Sequence, residues 1–143
     1  MYEKILVPVD GSRQALAALE VAVHLLSGPA PEVHLLTVPE LPRTEGELRR
    51  WAQGGGGAET DAEAGARKVL ADAEAAAGTS GPRFVHHLMW TAPATAIVDT
   101  AQELSVDAIV LGSRGLGNLK GLIIGSVSNK VLHTAPCRVV LVH

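Results

Sequence analysis

Five glycines occur within the fourteen residues from 112 to 125, directly after an apolar run that is typical of a buried strand, Ala108-Ile109-Val110-Leu111. An amphipathic segment that predicts a helix begins at Ser126. Glycine lets a ligand approach the backbone closely, and the first turn of a helix presents unpaired N–H groups at the positive end of the helix dipole. The pattern therefore predicts a phosphate-binding loop between a strand and a helix.

Neither of two common glycine-rich nucleotide motifs fits this loop. A P-loop requires Gly-Lys followed by Ser or Thr at the start of the helix, whereas Lys120 is followed by Gly121 and Leu122. A Rossmann fingerprint requires a third glycine where Lys120 stands, and it follows the first strand of its unit. The spacing that remains is Gly112-x2-Gly115-x9-Gly125-Ser126.

Strand and helix patterns alternate along the rest of the chain. Apolar runs predict strands at 4–9, 32–38, 83–89, 108–111 and 138–142, and helical spacing predicts helices between them, at 12–28, 59–78, 93–104 and 126–133. This alternation requires parallel pairing through right-handed crossovers. We expect an α/β fold, a doubly wound five-stranded parallel sheet of strand order 3-2-1-4-5 with helices on both faces.

The chain has the length of one domain, and we expect residues 1–143 to form a single domain. Residues 39–58 contain two prolines and four consecutive glycines, and this stretch is too long and too irregular for an ordinary connection. We interpret it as a flexible insertion that holds one helical turn around 45–51.

Composition excludes several classes of function. A net charge of −3 without blocks of like charge argues against a nucleic acid partner. The single Cys137 excludes an internal disulfide, and the six histidines lack metal-ligand spacing. No apolar run approaches the length of a membrane span or a signal peptide. We therefore expect a cytoplasmic protein with no membrane contact and no metal held by its own side chains.

The two most distinctive turns should face each other. In an open α/β sheet the ligand binds beyond the carboxyl ends of the strands, where the strand order reverses. With the order 3-2-1-4-5, that point lies between the first strand, which ends at Asp10, and the fourth, which is followed by Gly112. A binding crevice is expected between them.

The last strand, at 138–142, is an apolar run that would lie at the edge of the sheet with unpaired backbone groups. The simplest cover is the same strand of a second copy, which predicts a homodimer. The alternative is a monomer whose edge is protected by Arg138 and His143.

The glycine spacing resembles the nucleotide-binding signature of the universal stress protein family. Three further segments are similar to that family, Ile5 to Ser12, Pro93 to Gly115 and Ala135 to Val139, so the resemblance covers nearly the whole chain except the insertion. It implies a doubly wound sheet, dimerisation through the last strand and, in the subgroup that keeps the signature, binding of ATP.

The resemblance also implies roles for individual residues. The backbone of Val9 and the carboxylate of Asp10 would lie beside the adenine or ribose, and Val38 would frame the base. The residues that would wrap the ribose and first phosphate are Gly112, Arg114 and Gly115, those that would hold the other phosphates are Gly125, Ser126, Val127 and Ser128, and the adjoining strand ends Pro8 and Leu111 complete the site. Mg²⁺ or Mn²⁺ is expected only as a phosphate-bound ion.

The function that follows is a dimeric, ATP-binding regulatory module of the stress response. The alternative is a slow ATPase or nucleotidyl-transferring enzyme of the adenine nucleotide α-hydrolase-like fold. The nearby side chains Ser113, Asn118, Ser126 and Ser128 have no histidine or glutamate partner assigned by the sequence, so at most weak hydrolysis is expected. A third possibility is an interaction protein that binds no nucleotide.

Overall fold

The computed structural model describes residues 1–39, 45–53, 57–78, 80–113 and 124–143. The strands within these ranges are β1 (Lys4–Pro8), β2 (Glu32–Thr37), β3 (Arg83–Leu88), β4 (Ala108–Gly112) and β5 (Arg138–Val142). The helices are α1 (Arg13–Leu25), α2 (Glu45–Gln53), α3 (Gly57–Ala77), α4 (Pro93–Leu104) and α5 (Ser126–Thr134). None of these helices is long and apolar enough to cross a membrane.

The five strands form one parallel sheet in the order β3-β2-β1-β4-β5. The predicted order 3-2-1-4-5 is therefore confirmed. β1 lies at the centre, where Ile5 pairs with Val33 of β2 on one side and with Ala108 of β4 on the other. The order reverses between β1 and β4, so the two strand ends expected to form the crevice are neighbours.

Helices cover both faces of the sheet, as predicted. On one face, residues such as Ile5 and Val110 form a core cluster with the buried sides of α1 and α3. On the other face, Leu6 and Ile109 cluster with residues of α4 and α5. Because neighbouring residues of a central strand are buried on opposite faces, these strands are continuous apolar runs. That is the pattern from which they were predicted.

The predicted insertion contains more helix than one turn. α2 extends over nine residues from Glu45 to Gln53, and α3 begins at Gly57, two residues before the helix start expected at Glu59. α2 contacts α3, and this tertiary packing stabilises a polar helix that its own sequence only weakly favours. The remaining insertion residues 40–44 and 54–56 lie outside the described ranges.

The start of β1 is held to β4 by the carboxylate of Asp107. Its Oδ2 accepts hydrogen bonds from the backbone N–H groups of Glu3, at 2.9 Å, and Lys4, at 2.8 Å. The bond from Lys4, followed by the one from Glu3, holds the pKa of Asp107 below its ordinary value. Since the backbone N–H of Asp107 also donates to the Lys4 carbonyl, at 2.8 Å, the two strands are joined in both directions.

A polar chain with the buried His34 at its centre joins β2 to β3. His34 Nδ1 lies 2.8 Å from His87 Nε2, and His34 Nε2 lies 3.0 Å from a carboxylate oxygen of Glu32. Burial lowers the pKa of both histidines, while the bond from His34 lowers the pKa of Glu32. The other charged groups acting on this chain are Lys4 of β1, Arg83 and His86 of β3, and Glu103 of α4. Both imidazoles are therefore mainly neutral at pH 7.

We predict that the protein loses stability as the pH falls below about 6.5, the ordinary pKa of histidine. The folded pKa values of His34 and His87 are lowered, so the unfolded chain takes up protons first. Their contribution is fully present above that pH and decreases as the pH drops toward the lowered values. Urea titrations at about pH 7.5 and about pH 5.5 measure the loss in free energy of unfolding.

The matched variants separate this pair from other histidines. The double substitution His34→Gln and His87→Gln removes both titrating groups and should reduce the loss. His24→Gln changes an exposed imidazole that bonds only within its own helix, to the Glu20 carbonyl, and should retain the full loss. An equal loss in the double variant would contradict the assignment.

Candidate functional site

The first side of the crevice is the turn that follows β1. The N–H of Val9 donates to the Leu36 carbonyl at 2.8 Å, which extends β1 along β2, and the side chain of Val9 is buried. Asp10 is exposed at the edge of the sheet, and its Oδ1 accepts the N–H of Ser12 at 2.9 Å. This local bond orients the Asp10 carboxylate at the carboxyl edge of the sheet.

Two neighbours of Asp10 shape the turn. Gly11 has φ of +85°, a left-handed conformation that side chains disfavour. Ser12 is the N-cap of α1, and its hydroxyl accepts the N–H of Ala15 at 3.2 Å, as its position in the sequence predicts. The Asp10 carboxylate and the Ser12 hydroxyl are thus both held by local bonds at the start of α1.

The second side of the crevice is the end of β4. Ser113 follows β4, and its N–H donates to the Val142 carbonyl at 2.9 Å while its carbonyl accepts the N–H of Gly125 at 2.8 Å. These bonds hold the two ends of the glycine-rich segment together. Two of the predicted site residues, Arg114 and Gly115, lie within 114–123, outside the described residues.

Among the residues that the structure describes, no side chain caps the amino end of α5. The N-cap residue is Gly125, which has no side chain that could accept a hydrogen bond from the first turn. That turn also contains no acidic residue. The Gly125 carbonyl accepts the N–H of Asn129 at 2.9 Å. The N–H groups of residues 126–128 have no partner within the helix, so this turn can bind an anion through its backbone.

The two predicted serine ligands of α5 lie in different environments. Ser126 is exposed at the first position of the helix. Ser128 is only 4% exposed, and its hydroxyl donates to the Gly112 carbonyl at 2.9 Å. The single hydroxyl proton of Ser128 is thus used to fasten α5 to β4, which leaves its backbone N–H as its donor toward a ligand.

The remaining predicted residues lie along the carboxyl edge of the sheet or at the start of α5, and their side chains differ in how far they are exposed. Val38, just beyond β2, and Pro8, at the end of β1, are half-buried. The side chain of Leu111 is 4% exposed and belongs to the core cluster under α4 and α5. Leu111 can therefore reach a ligand only through its backbone. Val127 is half-buried in the first turn of α5.

The sequence assigned no partner to Ser113, and the structure provides His143. The Ser113 hydroxyl lies 3.2 Å from His143 Nδ1. The register of β4 and β5 is the signal that could have revealed this pair. Gly112 pairs with Val142, so the residues that follow them, Ser113 and His143, are neighbours. The contact joins the start of the glycine-rich segment to the end of β5.

Within the parts of the chain that the structure describes, no group of three or more His, Cys, Asp or Glu side chains is placed to hold a metal ion. Cys137 is half-buried, and burial raises the pKa of its thiol. A thiol with a raised pKa is mostly protonated near neutral pH and is a weak nucleophile. The groups that the described residues bring to this edge are backbone N–H groups, hydroxyls and the Asp10 carboxylate.

Comparison with known proteins places these features in a family context. The model of the universal stress protein family matches residues 1–143. Universal stress protein YxiE of Bacillus subtilis is 32% identical, and the alignment covers 99% of each chain. The solved structure of universal stress protein UspA from Lactobacillus plantarum is 27% identical, covers 99% of this chain and 98% of that chain, and has a TM-score of 0.72.

Two other solved structures of this fold contain nucleotides. A universal stress protein in complex with cAMP is 24% identical, with a TM-score of 0.67, and the match covers 99% of this chain and 97% of that one. A universal stress protein from Archaeoglobus fulgidus in complex with dAMP is also 24% identical, with a TM-score of 0.70 and coverage of 99% and 98%. At this identity the likeness to this chain is one of fold.

The different environments of the two serines lead to a test. Ser128→Ala should lower the free energy of unfolding by about 1 kcal/mol, because the Gly112 carbonyl loses the hydroxyl that donates to it. Ser126→Ala, at an exposed position, should change the same quantity by less than about 0.5 kcal/mol. Urea denaturation followed by circular dichroism measures both. Equal effects would mean that the Ser128 hydroxyl does not fasten α5 to β4.

Proposed function

The chain belongs to the universal stress protein family, and from that membership we propose that it binds ATP between the carboxyl ends of β1 and β4. In this proposal the bound nucleotide is a signal or structural cofactor of a regulatory module in the stress response. The chain binds the nucleotide and turns it over slowly or not at all.

The observation that carries the proposal is the amino end of α5, which receives no side-chain cap from the described residues and lies where the Gly125 N–H bonds to the Ser113 carbonyl. A helix start without a side-chain cap or an acidic first turn leaves its N–H groups and dipole for an external anion. Ser126 adds an exposed hydroxyl at the same place. Several phosphate oxygens can thus be bound without any metal ligand from the protein.

The neighbouring strand ends support a nucleoside beyond those phosphates. Adjacent strands lie about 4.8 Å apart, so a ligand that extends from α5 along the edge crosses β1 and then β2. Asp10 at the end of β1 can accept hydrogen bonds from ribose hydroxyls, and Val38 beyond β2 offers an apolar contact to a base. This direction agrees with the roles that the family signature implies for both residues.

The choice of ATP rests on the signature Gly112-x2-Gly115-x9-Gly125-Ser126. The cAMP and dAMP complexes establish that this fold holds adenine nucleotides in other proteins. A triphosphate makes use of more of the N–H groups at α5 than a monophosphate does. Mg²⁺ or Mn²⁺, where present, would be bound by the phosphates, with water completing its coordination.

We expect isothermal titration calorimetry to detect binding of ATP, with weaker binding of ADP, AMP and cAMP. Ser126→Asp should weaken ATP binding at least tenfold, about 1.4 kcal/mol, because a carboxylate at the helix start repels the phosphates. The same carboxylate interacts favourably with the helix dipole, so the fold should keep its stability.

Ser126→Asn is the matched control, since it has similar size without the charge, and it should bind ATP more tightly than the aspartate variant. If Ser126→Asp binds ATP as well as the unaltered protein does, the phosphates do not lie at α5. Absence of heat with every nucleotide, with and without Mg²⁺, would overturn the proposed function.

We also propose that the protein is a homodimer joined through β5. β5 is the edge of the sheet beside β4, and four consecutive half-buried apolar residues, 139–142, lie along it. An apolar edge strand with unpaired backbone groups is normally covered by another strand or by charged residues. A second β5 related by a two-fold axis covers the backbone and side chains together.

Sedimentation equilibrium should therefore give twice the chain mass of 14.9 kDa. Val140→Asp places a charge in the middle of the paired edge and should shift the equilibrium toward the monomer. Arg138→Lys keeps the charge at the start of β5 and is the control. A mass of one chain at high protein concentration would contradict the dimer.

A further inference from the structure

We propose that Met89 is a wall of the base pocket and contacts the nucleobase through its thioether and methyl group. The inference deepens the proposed function and rests on it, because it assigns the base end of the same nucleotide. Met89 follows β3, and neither the glycine signature nor the two turns that border the crevice include it.

Strand register places Met89 beside Val38. Thr37 of β2 pairs with Leu88 of β3, so the residues that follow them, Val38 and Met89, are neighbours across the two strands. The N–H of Met89 donates to the Thr37 carbonyl at 3.2 Å, which continues the pairing past the end of β3. Both side chains pack against the same core cluster, so they lie on the same face of the sheet.

This face of the sheet is the one on which α5 lies. Val127, in the first turn of α5, packs against the same core cluster as Met89. The hydroxyl of Ser128, the next residue, bonds to the Gly112 carbonyl at the end of β4. Phosphates bound at the start of α5 would therefore lie on the same side of the sheet as Met89.

A nucleotide that follows the carboxyl edge from α5 on this face crosses β1 before it reaches β2 and β3. β1 contributes Pro8, which lies two residues after the cluster residue Leu6 and hence on the same face. Two strand spacings, about 9.6 Å, separate β4 from β2, and β3 lies about 4.8 Å further. Because base and phosphates are attached at opposite ends of the ribose, phosphates at α5 direct the base toward Val38 and Met89.

The apolar core on this face reaches the surface at the ends of β2 and β3. Leu36 is 1% exposed, whereas Val38, two residues later on the same face, is half-buried, as is Met89 beside it. A flat base placed there would bury the uncovered parts of both side chains. Methionine suits this position, because its unbranched chain adjusts to the shape of a ligand and its sulfur makes favourable contacts with aromatic rings.

Methyl NMR of the unaltered protein tests this contact directly. The chain has two methionines, so labelling their methyl carbons with ¹³C gives two signals, and Met89→Leu identifies the signal of Met89. ATP should shift that signal through the ring current of the base, and a nuclear Overhauser effect should join the Met89 methyl group to the base protons. Met1 is 88% exposed and precedes β1, at the opposite edge of the sheet, so its signal is the internal control.

Inorganic tripolyphosphate is the control ligand, because it has the phosphates of ATP and no base. It should compete with ATP for binding and leave the Met89 signal in place. A shift of the Met89 signal by both ligands, without an Overhauser effect to the base, would reflect a change in the fold and overturn the inference.

Calorimetry measures how much the contact contributes to affinity. Met89→Ala should weaken ATP binding about fivefold. Met89→Leu keeps an apolar side chain of similar volume and should retain most of the affinity. The affinity for tripolyphosphate should be the same in all three proteins, and urea denaturation confirms that each variant is folded. Equal weakening of both ligands by Met89→Ala would contradict a contact with the base.

The remaining outcomes separate this inference from the proposed function. If ATP binds but changes neither the Met89 signal nor its own affinity on substitution to alanine, Met89 does not contact the base, while the nucleotide site stands. If ATP does not bind the unaltered protein at all, both the site and the role of Met89 fail.

Discussion

Pairing between β1 and β4 is the constraint on which the rest of the structure depends. Along the chain, β2 and β3 are added successively on one side of β1, and β4 then lies on the other side of β1. Asp107 holds that return through its bonds to the backbone of Glu3 and Lys4. Because the strands are parallel, their carboxyl ends share one edge, and the Asp10 turn and the glycine-rich segment must face each other there.

At the carboxyl edge of the sheet, some polar groups form hydrogen bonds within the protein and others are left for the ligand that we propose. The backbone of Ser113, the N–H of Gly125 and the hydroxyl of Ser128 bond to other parts of the protein. These bonds fix where α5 begins without using the N–H groups of its first turn. The start of α5 is thus held in place by the fold itself, which would lower the cost of ordering it in the nucleotide binding that we propose.

Much of the fold could be predicted because its signals are local. The strands are continuous apolar runs, the helices have spacing of three or four, and Ser12 and Pro93 mark helix starts. Other features escaped prediction because they join residues far apart in the chain. His34 and His87 have no metal-ligand spacing, yet β2 and β3 bring their imidazoles within 2.8 Å. α2 depends on contact with α3, which its polar sequence does not reveal.

By itself, the sequence determined the α/β class and the places of the Asp10 turn and the glycine-rich segment, since periodicity and glycine spacing are properties of the chain alone. Alternating strands and helices fit more than one doubly wound order, so the expected strand order needed the structure to confirm it. Only the tertiary structure decided which atoms of those turns remain for a ligand. Ser126 and Ser128 are equivalent hydroxyls in the sequence, but burial and the Gly112 carbonyl commit Ser128 to the fold. The pairing of Ser113 with His143 likewise follows from strand register, which is set when separate segments pack together.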